Sequence, residues 1–245
     1  VSDNDTPAAL GAVHRRRLRE VWRSAGWPSQ DLVEVELLAA GWLERVEQAD
    51  GRHTVRVTPQ GVQVLAQTLQ RHRGAYAAHE SLVQRVADEM LRHGRLAWRG
   101  LSLRCKPLAD GPWVMAMPDV YSVRHTTVEA YLAPVVHEVK VRRADLLADL
   151  NRPAKRAAYL QLGGECWYVL AEGIADPAEV PAECGVMLAR PLPDGGWGAL
   201  DIVRTAPRRA FAMHFGLWMA LARATPLPGW RPDDDQPALS ACDDA

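Results

Sequence analysis

Between Pro134 and Val141 the chain reads Val135, Val136, His137, Glu138, Val139, Lys140, Val141, and two-residue alternation divides this run into two faces. Val135, His137, Val139 and Val141 share one face, which is expected to build a core, and Glu138 and Lys140 share the other. Elsewhere spacings of three and four dominate. Leu18, Val21, Trp22 and Ala25 predict a helix over 15–24, and a second helix is expected over 31–40, ended by Gly41. Runs at 43–47 and 54–58 around Asp50-Gly51 read as a hairpin, and Pro59-Gln60-Gly61 opens a helix through Leu69. After a mixed-polarity link at 70–78, Leu82, Val83, Val86, Met90 and Leu91 predict a helix over 80–93, stopped by Gly94. Strands are expected at 96–105, 113–123 and 134–141, with Asp110-Gly111-Pro112 as a turn. A helix over 144–162 should be kinked or divided by Pro153. Strands at 166–171, 185–189 and 199–203 and a last helix over 208–223 complete the pattern.

The pattern separates into a first domain at 1–73, a second at 74–225 and an acidic, Pro-rich tail at 226–245 that is expected to be flexible, as is the small, polar start of the chain at 1–9. In the first domain the order is helix, turn, helix, hairpin, helix. With Leu37-Leu38-Ala39-Ala40-Gly41-Trp42-Leu43-Glu44-Arg45, Gly51-Arg52 and Val57-Thr58-Pro59-Gln60-Gly61, it resembles the winged-helix family, although only two helices precede the wing. The resemblance implies docking of the second helix into a DNA groove. That helix carries Asp31, Glu34 and Glu36 and no Lys or Arg, so it would meet phosphates with like charge. Packing or contact with a protein partner, a second copy included, is the expected role. His14, Arg15, Arg16, Arg17, Arg19 and Arg23 form a basic strip that fits either DNA contact or a solvated helix face.

Composition narrows the choices. The chain of 245 residues is 48% apolar and 24% charged, ordinary values for a globular protein. A net charge of −1 excludes a uniformly basic nucleic-acid coat, so any such contact must use a local patch. No apolar run reaches the length of a membrane span and no basic-then-apolar leader opens the chain, so no membrane partner and a cytoplasmic location are expected. Cys105, Cys166, Cys184 and Cys242 lack zinc-ligand spacing and read as buried or free thiols.

Glu138 and Lys140 are costly to bury unless something compensates them, and a divalent cation beside a carboxylate would do so. Asp119, preceded by Pro118, comes from the strand before. Helix, three strands, helix, strand, with acids on the second and third strands, resembles the PD-(D/E)XK nuclease superfamily. Within it, Glu138-Val139-Lys140, Ala144-Asp145-Leu146-Leu147-Ala148-Asp149, Tyr159, Trp167-Tyr168-Val169 and the segment from Pro181 to Leu188 look most like the MmcB-type DNA-repair family, over residues 80–190. The resemblance implies an α/β fold, a restriction-endonuclease-like mixed sheet flanked by helices, and a DNA endonuclease dependent on Mg²⁺ or Mn²⁺, acting in DNA repair or processing. It makes Asp119, Glu138 and the backbone carbonyl of Val139 the metal ligands and Lys140 the electrostatic catalyst. A helix carboxylate, Glu80 with Glu89 as alternative, and the polar residues Gln161 and Tyr159 are also implied near the site.

Arg142, Arg143, Arg152, Lys155 and Arg156 follow the motif closely and would bind DNA phosphates. Asp145 and Asp149 are expected to be structural, Asp145 at a helix N-terminus. His79 is a candidate ligand or base, whereas His137 reads as a satisfied buried imidazole. Trp98, Trp113, Trp167 and Trp218 are expected to pack, and Arg208-Arg209 to meet DNA or water. Two other functions fit the same residues: a non-catalytic winged-helix DNA-binding regulator with a degenerate nuclease fold, and a restriction or mobile-element endonuclease. RNA as substrate is equally compatible with metal-centred hydrolysis.

Overall fold

A computed structural model describes residues 11–106 and 111–229. The expectations for 1–9, Asp110, Cys242 and the tail beyond Gly229 lie outside the described residues. The chain forms two compact units that part between Gly74 and Ala75.

The first unit contains α1 (Ala12–Arg23), α2 (Leu32–Ala39), β1 (Leu43–Glu47), β2 (His53–Val57) and the start of α3 (Pro59–Arg92). β1 and β2 pair antiparallel, Leu43 opposite Val57, and Leu18, Val21, Leu37, Trp42, Leu43, Val55 and Val57 form the core. Gly41, at φ +69, ends α2 in a conformation that an L side chain rarely adopts. The acids of α2 are engaged by the fold. Asp31 accepts the Glu34 N–H at the helix start and binds Arg17, at 3.1 and 2.7 Å. Glu34 is buried and accepts the backbone N–H groups of Ser29 and Gln30, while Glu36 lies 2.6 Å from His14.

Two helices and a link were expected between 59 and 93, but α3 is a single helix of 34 residues. Only Gly74 weakens that link, by about 1 kcal/mol relative to Ala, and Ala75, Ala77 and Ala78 are strong helix formers.

The second unit is a mixed α/β structure around a six-stranded sheet. The sheet uses β3 (Arg95–Arg99), β6 (Val120–Arg124), β7 (Val135–Lys140), β8 (Glu165–Ala171), β9 (Gly185–Pro191) and β10 (Trp197–Arg204), in the order β10-β9-β8-β7-β6-β3. β7, β8 and β9 run parallel, and the pairs β3–β6, β6–β7 and β9–β10 are antiparallel. Leu82, Val83, Val86 and Met90 of α3 share one apolar core with Val135, Val139 and Val169. On the opposite side Val136, Tyr121, Tyr168 and Leu170 share a core with Leu146 of α4 (Arg143–Leu150), Ala158 and Tyr159 of α5 (Pro153–Leu160), and Leu217 and Leu221 of α6 (Phe215–Arg223).

Several boundaries differ from the pattern. The run 96–105 is divided at Gly100, at φ +59, into β3 and β4 (Leu103–Cys105), and the run 113–123 into β5 (Val114–Ala116) and β6 at Met117-Pro118-Asp119, where Pro118 offers no N–H to a ladder. β4 and β5 make a separate antiparallel ribbon. Pro153 divides its helix in two and occupies the first position of α5. The last helix starts at Phe215 rather than 208, because the Arg209 N–H donates to Gly164 O at 2.9 Å and its guanidinium to Glu183 O at 3.0 Å. His214 then caps the helix by accepting the Leu217 N–H. Leu227 donates its N–H to Ala97 O at 2.8 Å and packs on the α3-side core, so the segment expected to be flexible from Pro226 is anchored there.

Cys105, Cys166 and Cys184 are buried free thiols, and Trp98 and Trp167 are buried as expected. Trp113 and Trp218, expected to pack, are 55% and 40% exposed. No helix among the described residues is long and apolar enough to cross a membrane.

Candidate active site on the central strand

Strand β7 lies between β6 and β8, and all six of its residues are buried. The alternation acts as read: Val135 and Val139 enter the α3-side core, and Glu138 and Lys140 point to the side of α4 and α5. Asp119 immediately precedes β6, and the pairing of Val120 with His137 carries it beside the middle of β7. Its Oδ2 accepts the Val139 N–H at 2.7 Å, fixing one carboxylate to the backbone between Glu138 and Lys140.

Glu138 has two unlike oxygens. Oε1 accepts from the ammonium groups of Lys140 and, at 2.5 Å, Lys155 of α5. Oε2 is buried and has no hydrogen-bond partner among the described residues. Lys155 also reaches Asp149 Oδ1 of α4 at 2.5 Å, Lys140 lies 3.9 Å from the same oxygen, and the Tyr168 hydroxyl donates to Asp149 Oδ2 at 2.7 Å. Tyr159 donates to Met117 O at 2.9 Å, and the Lys155 ammonium lies 5.1 Å from its ring centroid. Asp119, Glu138, Lys155 and Tyr159 line one pocket of about 400 Å³, walled by Val114, Met115, Ala116, Met117, Ala154 and Ala158.

Burial raises the pKa of Glu138 and the nearby Asp119 carboxylate raises it further, against the pull of Lys140 and Lys155. Asp149 behaves oppositely: burial pushes it up, but Lys140, Lys155 and the Tyr168 hydroxyl together hold it below the ordinary value. Burial opposes the charge of Lys155, yet Glu138 and Asp149 prevail and raise its pKa. Tyr159 and Tyr168 are pushed far up, first by burial and then by the adjacent carboxylates, so both remain neutral donors. His79 Nε2 is 3.5 Å from Asp119 Oδ1, and that contact raises the imidazole pKa.

A metal would be held by Asp119 and Glu138, whose carboxylates line the same pocket, and the buried, unpartnered Oε2 fits a cation as ligand. Among the described residues no group of three or more His, Cys, Asp or Glu side chains is arranged around one ion position. With the Val139 carbonyl, Asp119 and Glu138 would supply only part of the coordination sphere and leave positions for water and substrate oxygens, as Mg²⁺ prefers.

The other sequence candidates are distributed unevenly. Glu80 reaches Arg99 at 2.6 Å and His79 at 3.3 Å, so it touches the site through His79. Its alternative, Glu89, binds Arg85 and Arg92 and lines a different pocket with His137. Gln161 ends α5 with an exposed side chain and does not line the Asp119–Glu138 pocket. Among the basic residues, Arg142 binds Asp145, Arg143 binds Glu179, Arg156 binds Glu183, and Lys155 is drawn into the site. Arg152 alone of the five forms no ion pair among the described residues. The expected open row of cations is thus mostly neutralised by neighbouring carboxylates. Arg208 likewise binds Glu165, and Arg209 binds backbone carbonyls.

Lys155, expected to bind phosphate, and Asp149, expected to be structural, meet beside Glu138 together with Tyr168, which had no expected role. Parallel pairing sets Tyr168 opposite Glu138, and this was accessible from alternation in the run 166–171. Nothing in the local sequence signals that Lys155 turns inward. His137 is buried as expected, yet its Nδ1 has no partner among the described residues, and burial together with Arg95 lowers its pKa to about 3.

No protein-family model matches the chain, and no curated protein matches it. A solved structure of a protein of unknown function from Silicibacter pomeroyi is similar at 22% identity, covering 54% of this chain and 73% of that chain, with a TM-score of 0.36.

Proposed function

We propose that the second unit is a metal-dependent DNA nuclease of the PD-(D/E)XK type, with Asp119 and Glu138 holding Mg²⁺ or Mn²⁺ and Lys140 acting beside them. The observation that carries this reading is Glu138 Oε2, a buried carboxylate oxygen without a partner, lining the same pocket as Asp119. The element order supports it: α3, then β3, β6 and β7, with β6 antiparallel to both neighbours, then α4 and α5, then β8 parallel to β7. A bound divalent cation supplies an activated water and neutralises charge on the phosphodiester. The Val139 N–H orients Asp119, and Lys140 stabilises the developing negative charge. Lys155 holds Glu138 and Asp149 in place, and Tyr159 closes the pocket with a neutral hydroxyl. The first unit, read as winged-helix-like, serves as a packing or protein-contact module, and a role in DNA repair rests on the MmcB-type resemblance.

A second reading is binding without cleavage. It is favoured by the two ammonium groups on Glu138 Oε1, which already compensate that carboxylate without a metal. Linear, nicked, flapped and single-stranded DNA, each incubated with the protein and Mg²⁺, Mn²⁺ or chelator, separate the two. Cleavage is expected only with metal and should fall about a hundredfold or more in Asp119→Ala and Lys140→Ala. Metal-dependent cleavage that persists unchanged in both variants would sink the site assignment, and DNA binding with no cleavage of any substrate would favour the second reading.

A further inference from the structure

The side of β7 opposite Glu138 carries a second pocket, of about 740 Å³, whose lining includes Arg95, Arg124, His137, Tyr131, Trp167 and Met187. Its volume falls in the range of small-molecule sites. We infer that this pocket binds a small organic anion, a phosphate or carboxylate carried on an apolar body, through Arg95, Arg124 and His137.

Neither arginine of the pocket forms an ion pair among the described residues. Arg95 on β3 directs its guanidinium to neutral oxygens only: Ser122 Oγ at 2.9 Å, Ser122 O at 3.1 Å and Ala133 O at 2.6 Å. Burial, and then the neighbouring Arg124, lower its pKa to about 10, so it remains charged at neutral pH. Arg124 stands opposite it in the β3–β6 register and forms no ion pair among the described residues. Two carboxylates also line the pocket, but both are engaged. Glu89 binds Arg85 at 2.6 Å and Arg92 at 2.9 Å, and Glu165 binds Arg208 at 2.8 Å and the Trp167 indole N–H at 3.0 Å.

His137 is one of the lining residues and is almost wholly buried, and its Nδ1 has no hydrogen-bond partner among the described residues. A buried polar atom without a partner is unfavourable. Two like charges side by side on adjacent strands are also unfavourable, and an anion between them reverses the sign of that term. Met90, Met187 and Leu200 supply an apolar wall that inorganic phosphate alone would not use. Because alternation directs Glu138 and Lys140 to the other side of the sheet, this site is separate from the proposed nuclease centre.

Calorimetric titration of the full chain tests the assignment with four probes: 2′-deoxyadenosine 5′-monophosphate, benzoate, inorganic phosphate and neutral deoxyadenosine. Saturable one-to-one binding is expected for the first or the second, weaker binding for phosphate and none for the nucleoside. The first two probes distinguish a phosphate from a carboxylate ligand. Arg124→Gln should weaken binding on the order of tenfold, the worth of one charge-assisted hydrogen bond, at an unchanged melting temperature. Glu138→Gln should leave it unaltered. The assignment is overturned if neither organic anion binds saturably, if deoxyadenosine binds as tightly as its monophosphate, if Arg124→Gln has no effect, or if Glu138→Gln abolishes binding.

Discussion

Lys155 illustrates how much one side chain can decide. Its ammonium bridges Glu138 and Asp149, and the two carboxylates are thereby kept close without a metal. Removing one partner of a buried ion pair costs about 3–5 kcal/mol, but the Lys155 side chain is 32% exposed, so solvent reduces the effect. Lys155→Gln is expected to destabilise the protein by about 1–3 kcal/mol in urea unfolding. Asp149 sets a pH dependence. Its folded pKa lies below the ordinary value through Lys140, Lys155 and Tyr168, which outweigh burial, so its contribution is fully present above the unfolded pKa of about 3.9 and is lost as pH falls through the folded pKa. The melting temperature should therefore drop in that acid window, and Asp149→Asn should flatten the drop. An unchanged slope in that variant would remove Asp149 from the account.

At the scale of elements, α3 makes the most direct prediction. Gly74 lies inside the helix, and a Cβ built there meets nothing within 4 Å. Gly74→Ala should then stabilise by about 0.5–1 kcal/mol, while Gly74→Pro should cost about 3 kcal/mol or more, both read from urea unfolding followed by helical circular dichroism. Sequence legibility follows the same division between local and distant causes. β7, α2 with its stop at Gly41, and the break at Pro153 follow from alternation, glycine and proline chemistry, which act within a few residues, whereas the cap of α2 is Asp31 rather than a residue of the turn at 27–30. The late start of α6 depends on Arg209 reaching Gly164 and Glu183, contacts that no local pattern encodes. Similarly, Glu138 lies within a strand run and Asp119 immediately before another, so local pattern puts both near the sheet, whereas Lys155 and Asp149 join Glu138 only when α4 and α5 fold onto the sheet.

For the whole molecule, charge pairing matters more than charge count. The chain has 29 Lys and Arg residues against 30 Asp and Glu, and the residues after the motif are mostly paired. If the second unit binds DNA, Arg152→Gln should reduce the slope of log affinity against log salt by about 0.9, whereas Arg142→Gln, already neutralised by Asp145, should leave it nearly unchanged. Equal slopes for both variants would show that the Arg142 pair opens on binding.

The hydrogen bond from Leu227 to Ala97 reaches beyond its own strand. β3 is terminal in the sheet order, and a terminal strand with free backbone groups is a template on which another chain can extend the sheet. At the other end β10 is interrupted by register shifts, another way of spoiling such a template. Leu227 occupies one acceptor of that strand, and cutting the chain after Thr225 is expected to increase light scattering at high protein concentration more than it lowers the melting temperature.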